Sequence, residues 1–138
     1  MSHTIELTET TFAATVEQDG LVLIDFWAPW CGPCRVFGPI FEKVAGENPD
    51  ATFAKVNTED EPGLAGGLQI RSIPTLMLFR DGVMLFRQPG MLPEAALRDL
   101  VRQAMALDMD DVRKKVHEEA GKETKAAAPS GGARASHG

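Results

Sequence analysis

Apolar positions along the chain recur with two different periods, and their alternation lays out the elements. Residues 3–7 alternate weakly and read as a short edge strand. Thr8 or Thr10 then caps a helix running to about Gln18, with Phe12, Ala13 and Val16 at helical spacing, and Asp19-Gly20 breaks it. Leu21 to Trp27 is continuously apolar apart from Asp25, the pattern of a strand buried on both faces. Behind Pro29 a second helix carries Val36, Phe37, Ile40, Phe41 and Val44 on one face. Pro39 falls inside that stripe and kinks the helix without ending it, because the spacing resumes beyond it. Thr52–Asn57 forms the next strand and contains Lys55, and residues 58–68, acidic then Gly-rich, form a short irregular helix. Asp81-Gly82 separates the apolar run Leu76–Phe79 from Val83–Phe86, which marks a β-hairpin. Gly90 closes that second strand, and Pro93 opens a helix with Leu97, Leu100, Val101, Ala104 and Met105 on one face.

The order β-α-β-α-β-α-β-β-α implies an α/β protein, parallel where strands alternate with helices and antiparallel at the hairpin. A mixed sheet flanked by helices follows, in one domain over residues 1–107. Residues 108–123 are mostly charged, with Met109, Val112 and Val116 as a thin stripe, and read as a solvated extension of the last helix. Residues 124–138 are Ala, Gly, Ser and Pro-rich with little apolar bulk, a composition of disordered chain.

Composition narrows the function. A formal charge of −6 opposes binding to nucleic acid or an anionic membrane surface. The longest apolar run, Leu21 to Trp30, is too short to span a bilayer and holds an aspartate, and Met1-Ser2-His3-Thr4 does not resemble a signal peptide. A cytoplasmic location is expected.

The only two cysteines are Cys31 and Cys34. Two intervening residues bring their sulfurs together across one helical turn, so they can form a disulfide or two ligands of a metal. Four-coordinate zinc needs more ligands, and His3, His117 and His137 lie near the chain ends without metal-motif spacing, so no metal site is expected. In a reducing compartment the pair reads as catalytic. Cys31 falls at a helix N-terminus, where free backbone donors and the helix dipole favour a thiolate, and Arg35 adds positive charge. Cys31 is therefore the attacking sulfur, exposed, and Cys34 the deeper one held back. Pro33 suits the first helical turn and stiffens the backbone between the sulfurs, while Gly32 admits a partner chain. Asp25 is a carboxylate in a buried strand, raised in pKa by desolvation. It is either a base that takes the Cys34 proton or a structural acid paired with Lys55 or bonded to backbone. Pro74, at the start of a strand, reads as an ordinary trans proline on residue statistics alone.

Taken together, Asp25-Phe26-Trp27-Ala28, Trp30-Cys31-Gly32-Pro33-Cys34, Lys55, Arg71-Ser72-Ile73-Pro74-Thr75, Asp81-Gly82 and Gly90 closely resemble the thioredoxin family in order and spacing across residues 3–107. That resemblance implies the thioredoxin fold, a central mixed five-stranded sheet flanked by four helices, and a protein-disulfide reductase. It implies that Cys31 attacks a target disulfide, that Cys34 resolves the mixed disulfide, and that Asp25, with Lys55 nearby, assists. Gly32, Pro33 and a cis Pro74 tune the pair, and Trp30, Ile73, Gly90 and Met91 form a shallow groove for an extended target segment. The implied partners are disulfide-containing proteins and a thioredoxin reductase, for a monomer without a cofactor of its own, NADPH and FAD belonging to the reductase. Arg35, Pro29 and Met91 depart from the commonest family residues.

Two other functions compete with a reductase. One is an oxidase or isomerase of secreted proteins, against which the Gly-Pro pair and the N-terminus argue. The other is a binding module, for which the stripe after Leu107 is the only sign.

Overall fold

The strands order themselves β1-β3-β2-β4-β5, with β1 at Ile5–Glu6, β2 at Leu21–Trp27, β3 at Thr52–Asn57, β4 at Thr75–Arg80 and β5 at Val83–Pro89. In this computed structural model, which describes residues 2–127, β1 and β2 run parallel to β3, while β4 runs antiparallel to both of its neighbours, β2 and β5. Helices α1 (Phe12–Glu17), α2 (Gly32–Glu47), α3 (Pro62–Gly67) and α4 (Glu94–Ala106) complete the unit ending at Ala106.

The double burial of β2 follows from its composition, since six of its residues, Leu21 to Phe26, are buried. Its side chains alternate between two cores, as the period of a strand requires. Leu21 and Leu23 pack with Phe37, Phe41 and Val44 of α2 and Leu97 and Val101 of α4. Val22, Ile24 and Phe26 pack on the other face with Val16 and Phe12 of α1 and Leu64 of α3. Helices therefore cover both sides, and β2 is held in place as the central strand from which the following loop emerges.

The helices differ from the sequence pattern at particular residues. Thr11, not Thr8 or Thr10, is the N-cap of α1, and the Thr8 carbonyl accepts from the Thr11 and Phe12 amides in the turn before it. Val36, expected on the apolar face of α2, is 55% exposed, because the buried face runs through Cys34, Phe37, Phe41, Val44 and Ala45 and Val36 is turned away from its centre. Met105 is likewise exposed at the end of α4. Pro39 lies within α2, which continues to Glu47.

The Asp81-Gly82 turn places both residues at positive φ, 52° and 81°, as a two-residue hairpin of matching twist demands. Asp81 Oδ1 also accepts from the Gly20 amide at 2.8 Å, joining the turn to the entry of β2. Gly82→Ala is expected to cost about 1–2 kcal/mol, because a β-carbon is disfavoured at that φ. Urea denaturation measures it, and an unchanged midpoint would refute the strain.

The second unit begins at Leu107. The expected continuation of the last helix is instead a separate helix, α5, at Met109–Ala127. Asp108 accounts for the new start: its Oδ1 accepts from the Asp110 and Asp111 amides at 3.0 and 3.3 Å. Arg113–Asp110 and Lys115–Asp111 pairs lie along it. Helix α5 takes in residues 124–127, and the rest of the stretch expected to be disordered, 128–138, lies outside the described residues.

Candidate active site

Strand β2 delivers the chain to the site. Its last carbonyl, on Trp27, accepts from the Thr58 amide at 2.8 Å and the Thr58 hydroxyl at 3.0 Å, which anchors the point of departure. A tight turn follows, with the Cys31 amide donating to the Ala28 carbonyl at 3.2 Å. Cys31 is the N-cap of α2 and Pro33 sits in its first turn, where a missing N–H costs nothing.

Cys31 and Cys34 are joined by a disulfide, with their Cα atoms 5.2 Å apart. The expected difference in exposure is absent from this oxidised pair, since Cys31 is 3% and Cys34 4% exposed. The asymmetry lies in the contacts. The Cys34 amide donates to Cys31 Sγ at 3.2 Å, so the cap sulfur is the one that receives a helix N-terminal donor. Cys31 Sγ also lies 3.7 Å from the Ile73 carbonyl oxygen on the opposing loop. Arg35 is drawn back along the loop, its Nε donating to the Pro29 carbonyl at 3.2 Å. The Arg35 and Pro29 departures from the family pattern thus meet in one hydrogen bond.

That opposing loop carries the Ile73-Pro74 peptide bond, which is cis, against the trans reading from residue statistics and in line with the resemblance. The Pro74 carbonyl accepts from the Gly90 amide at 2.7 Å, and Gly90 has φ +92°, which suits glycine alone. Trp30 is 62% exposed, Met91 is also exposed and Ile73 is half-buried. Of the expected groove residues, Ile73 faces Cys31 from the opposing loop, Gly90 is bonded to that loop, and Trp30 precedes Cys31 on the chain. Around Gly32 a β-carbon would meet nothing, consistent with open space over the pair.

Asp25 lies two residues before the end of β2, fully buried. Neither of its oxygens has a hydrogen-bond partner among the described residues, which removes the backbone-bonded alternative. Burial pushes its carboxyl from 3.8 up to about 7, opposed by the charge of Lys55 and reinforced by that of Glu6. Lys55 is its in-register neighbour on β3. The Lys55 ammonium lies 4.7 Å from the centroid of the Trp27 ring, a contact the residue pattern did not disclose because it joins two strands. Lys55, Trp27, Cys34, Arg35, Gly38, Pro39 and Glu42 line a cleft of about 370 Å³, so Cys34 and Lys55 share one solvent-accessible space. Among the described residues no group of three His, Cys, Asp or Glu side chains is placed to hold a metal, and no helix is long and apolar enough to cross a membrane.

Comparison with known proteins agrees with this geometry. The Thioredoxin family model matches residues 3–103. A curated Streptomyces coelicolor protein named "Putative thioredoxin 2" is 57% identical over 119 residues, covering 86% of this chain and 89% of its own. Thioredoxin 1 of Synechococcus elongatus is 42% identical over 70% of this chain and 92% of its own. Among solved structures, a mutant thioredoxin from Halobacterium salinarum superposes with a TM-score of 0.69 at 32% identity, over 76% of this chain and 93% of that one.

Proposed function

The chain belongs to the thioredoxin family, a protein-disulfide oxidoreductase acting by thiol–disulfide exchange, and on that premise we propose the direction of its chemistry and the role of each residue. It is a cytoplasmic reductase of protein disulfides, working as a monomer without a cofactor of its own. Thioredoxin reductase, carrying the flavin and drawing on NADPH, returns it to the dithiol. The domain doing this ends near Leu107.

In the reduced protein the Cys31 thiolate attacks one sulfur of a target disulfide, forming a mixed disulfide and expelling the target's other sulfur as a thiolate that takes up a proton. Cys34 then loses its proton to Asp25, and its sulfur attacks Cys31 Sγ. That closes the Cys31–Cys34 disulfide and expels the second target thiolate. Two electrons pass to the target, and Asp25 releases its proton to solvent by way of the cleft beside Lys55. The Cys34 amide held on Cys31 Sγ is the observation that carries this assignment, because it stabilises negative charge on one sulfur of the pair. Trp30, Ile73, Gly90 and Met91 seat the target as an extended segment, and Gly32, Pro33 and Pro74 set the backbone around the sulfurs.

Insulin reduction in the presence of NADPH and thioredoxin reductase tests the reading. Precipitation of the insulin B chain is expected to accelerate well beyond the reductase-only control, and no acceleration, with dithiothreitol also failing as donor, would overturn it. A redox potential more oxidising than the cytosolic glutathione pool would instead favour the oxidase reading.

A further inference from the structure

Because β3 lies between β1 and β2, two registers combine into one. Glu6 on β1 aligns with Lys55, and Lys55 aligns with Asp25 on β2. In-register partners on parallel strands project to the same face, so the three side chains form a single row across the sheet. It is the face covered by α2, since Leu23 and Phe53, two residues before Asp25 and Lys55, belong to the core that α2 covers. With adjacent strands about 4.8 Å apart, Glu6 and Asp25 stand about 10 Å from each other with Lys55 between them.

We propose that Glu6 is a positioning residue for the resolving step: it divides the charge of Lys55 with Asp25 and so sets the pH at which Asp25 accepts the Cys34 proton. The inference rests on the reading of Asp25 as that acceptor. A lysine flanked by one carboxylate would place its whole field on it, whereas a lysine between two holds each less strongly, and the second carboxylate repels the first directly. The electrostatics of both acids agree in direction. Burial raises the Glu6 carboxyl, with Lys55 opposing and Asp60 adding, just as burial raises Asp25, with Lys55 opposing and Glu6 adding. The ammonium also has fixed company. Trp27 lies beneath it, a β-carbon at Gly38 would come within 3.8 Å of it, and Arg35 and Glu42 of α2 line the same cleft. Glu6 lies at the sheet edge, exposed as a residue but with its carboxyl partly desolvated on the Lys55 side, whereas Asp25 is fully buried.

Titration of the Asp25 carboxyl by carbon-13 NMR in the oxidised protein tests this, on the wild type, Glu6→Gln and Glu6→Asp. Glu6→Gln keeps the shape and removes the charge, and a unit charge about 10 Å away in a largely aqueous path is expected to lower the Asp25 midpoint by about 0.3–0.6 pH unit. Glu6→Asp restores the charge and is expected to leave the midpoint within about 0.2 unit of wild type. An unchanged midpoint in Glu6→Gln, or an equal shift in Glu6→Asp, would overturn the coupling. The pH profile of insulin reduction supplies the second readout and is expected to move to lower pH along with the Glu6→Gln midpoint. A midpoint that moves while the profile stays overturns the catalytic half alone, taking Asp25 out of the resolving step with the charge row intact.

Discussion

With Cys34 replaced by serine, the protein is expected to remain covalently joined to its targets through Cys31. A hydroxyl cannot displace a sulfur from a disulfide at neutral pH, so the first exchange proceeds and the second does not. Turnover should fall by at least about 10³-fold, because a neighbouring thiol acts at an effective concentration far above that of millimolar thiol in solution. The trapped species is visible on a non-reducing gel and by intact mass, and dithiothreitol should release it. Cys31→Ser is the companion variant, expected to lose turnover to the same extent and to trap nothing. The pair decides a question that exposure leaves open, since the two sulfurs are equally buried when oxidised. If Cys31→Ser were the variant that accumulated mixed disulfides, the hydrogen bond from the Cys34 amide would not mark the nucleophile, and the roles would be exchanged.

How far such a site can be read from residues alone depends on whether its partners are local. Leu21–Trp27, Thr52–Asn57 and the Asp81-Gly82 turn stand where their patterns place them, because burial period and turn chemistry act over a few residues. The CxxC at the head of α2 is local in the same sense. Val36 shows the limit of period: the stripe is wider than the face that is buried, and Val36 is turned away from the Phe37-Phe41-Val44 line, so it stays in solvent. The break between α4 and α5 depends on Asp108 turning its carboxylate onto two amides, which charge patterning could not distinguish from a solvated continuation. The wall opposite Cys31 joins residues 42 positions apart, and the cation over Trp27 joins β2 to β3. Those contacts exist only once strand order and register are set, and the Glu6-Lys55-Asp25 row needs two registers at once. The resemblance to a family carried the cis Pro74, where residue statistics alone pointed the other way.

Asp25→Asn should separate the stability of the fold from the speed of the site. The wild-type carboxyl is held near 7 in the native state against 3.8 when free, so the folded protein retains a proton that the unfolded chain has released between those values. Stability therefore falls as pH rises from about 4 to about 7 and stays at the lower level above that. About three pKa units correspond to an upper bound of about 4 kcal/mol. Asparagine does not titrate, so the variant should lose this slope, matching or trailing the wild type near pH 4 and exceeding it above pH 7. The buried amide lacks partners just as the carboxyl does, at a cost of about 1–3 kcal/mol, so the net gain at pH 8 should be about 1–3 kcal/mol. Guanidinium denaturation at pH 4, 6 and 8 measures it, and parallel pH dependences in the two proteins would show that Asp25 is not an acid strained by burial. Catalysis should move the opposite way. Without an acceptor for its proton, Cys34 must lose it unaided, and turnover near pH 7 is expected to drop on the order of tenfold. The deficit should shrink as pH rises toward about 9, because hydroxide then takes the proton that Asp25 would have taken. A deficit constant across that range would mean that Asp25 shapes the site without taking the proton.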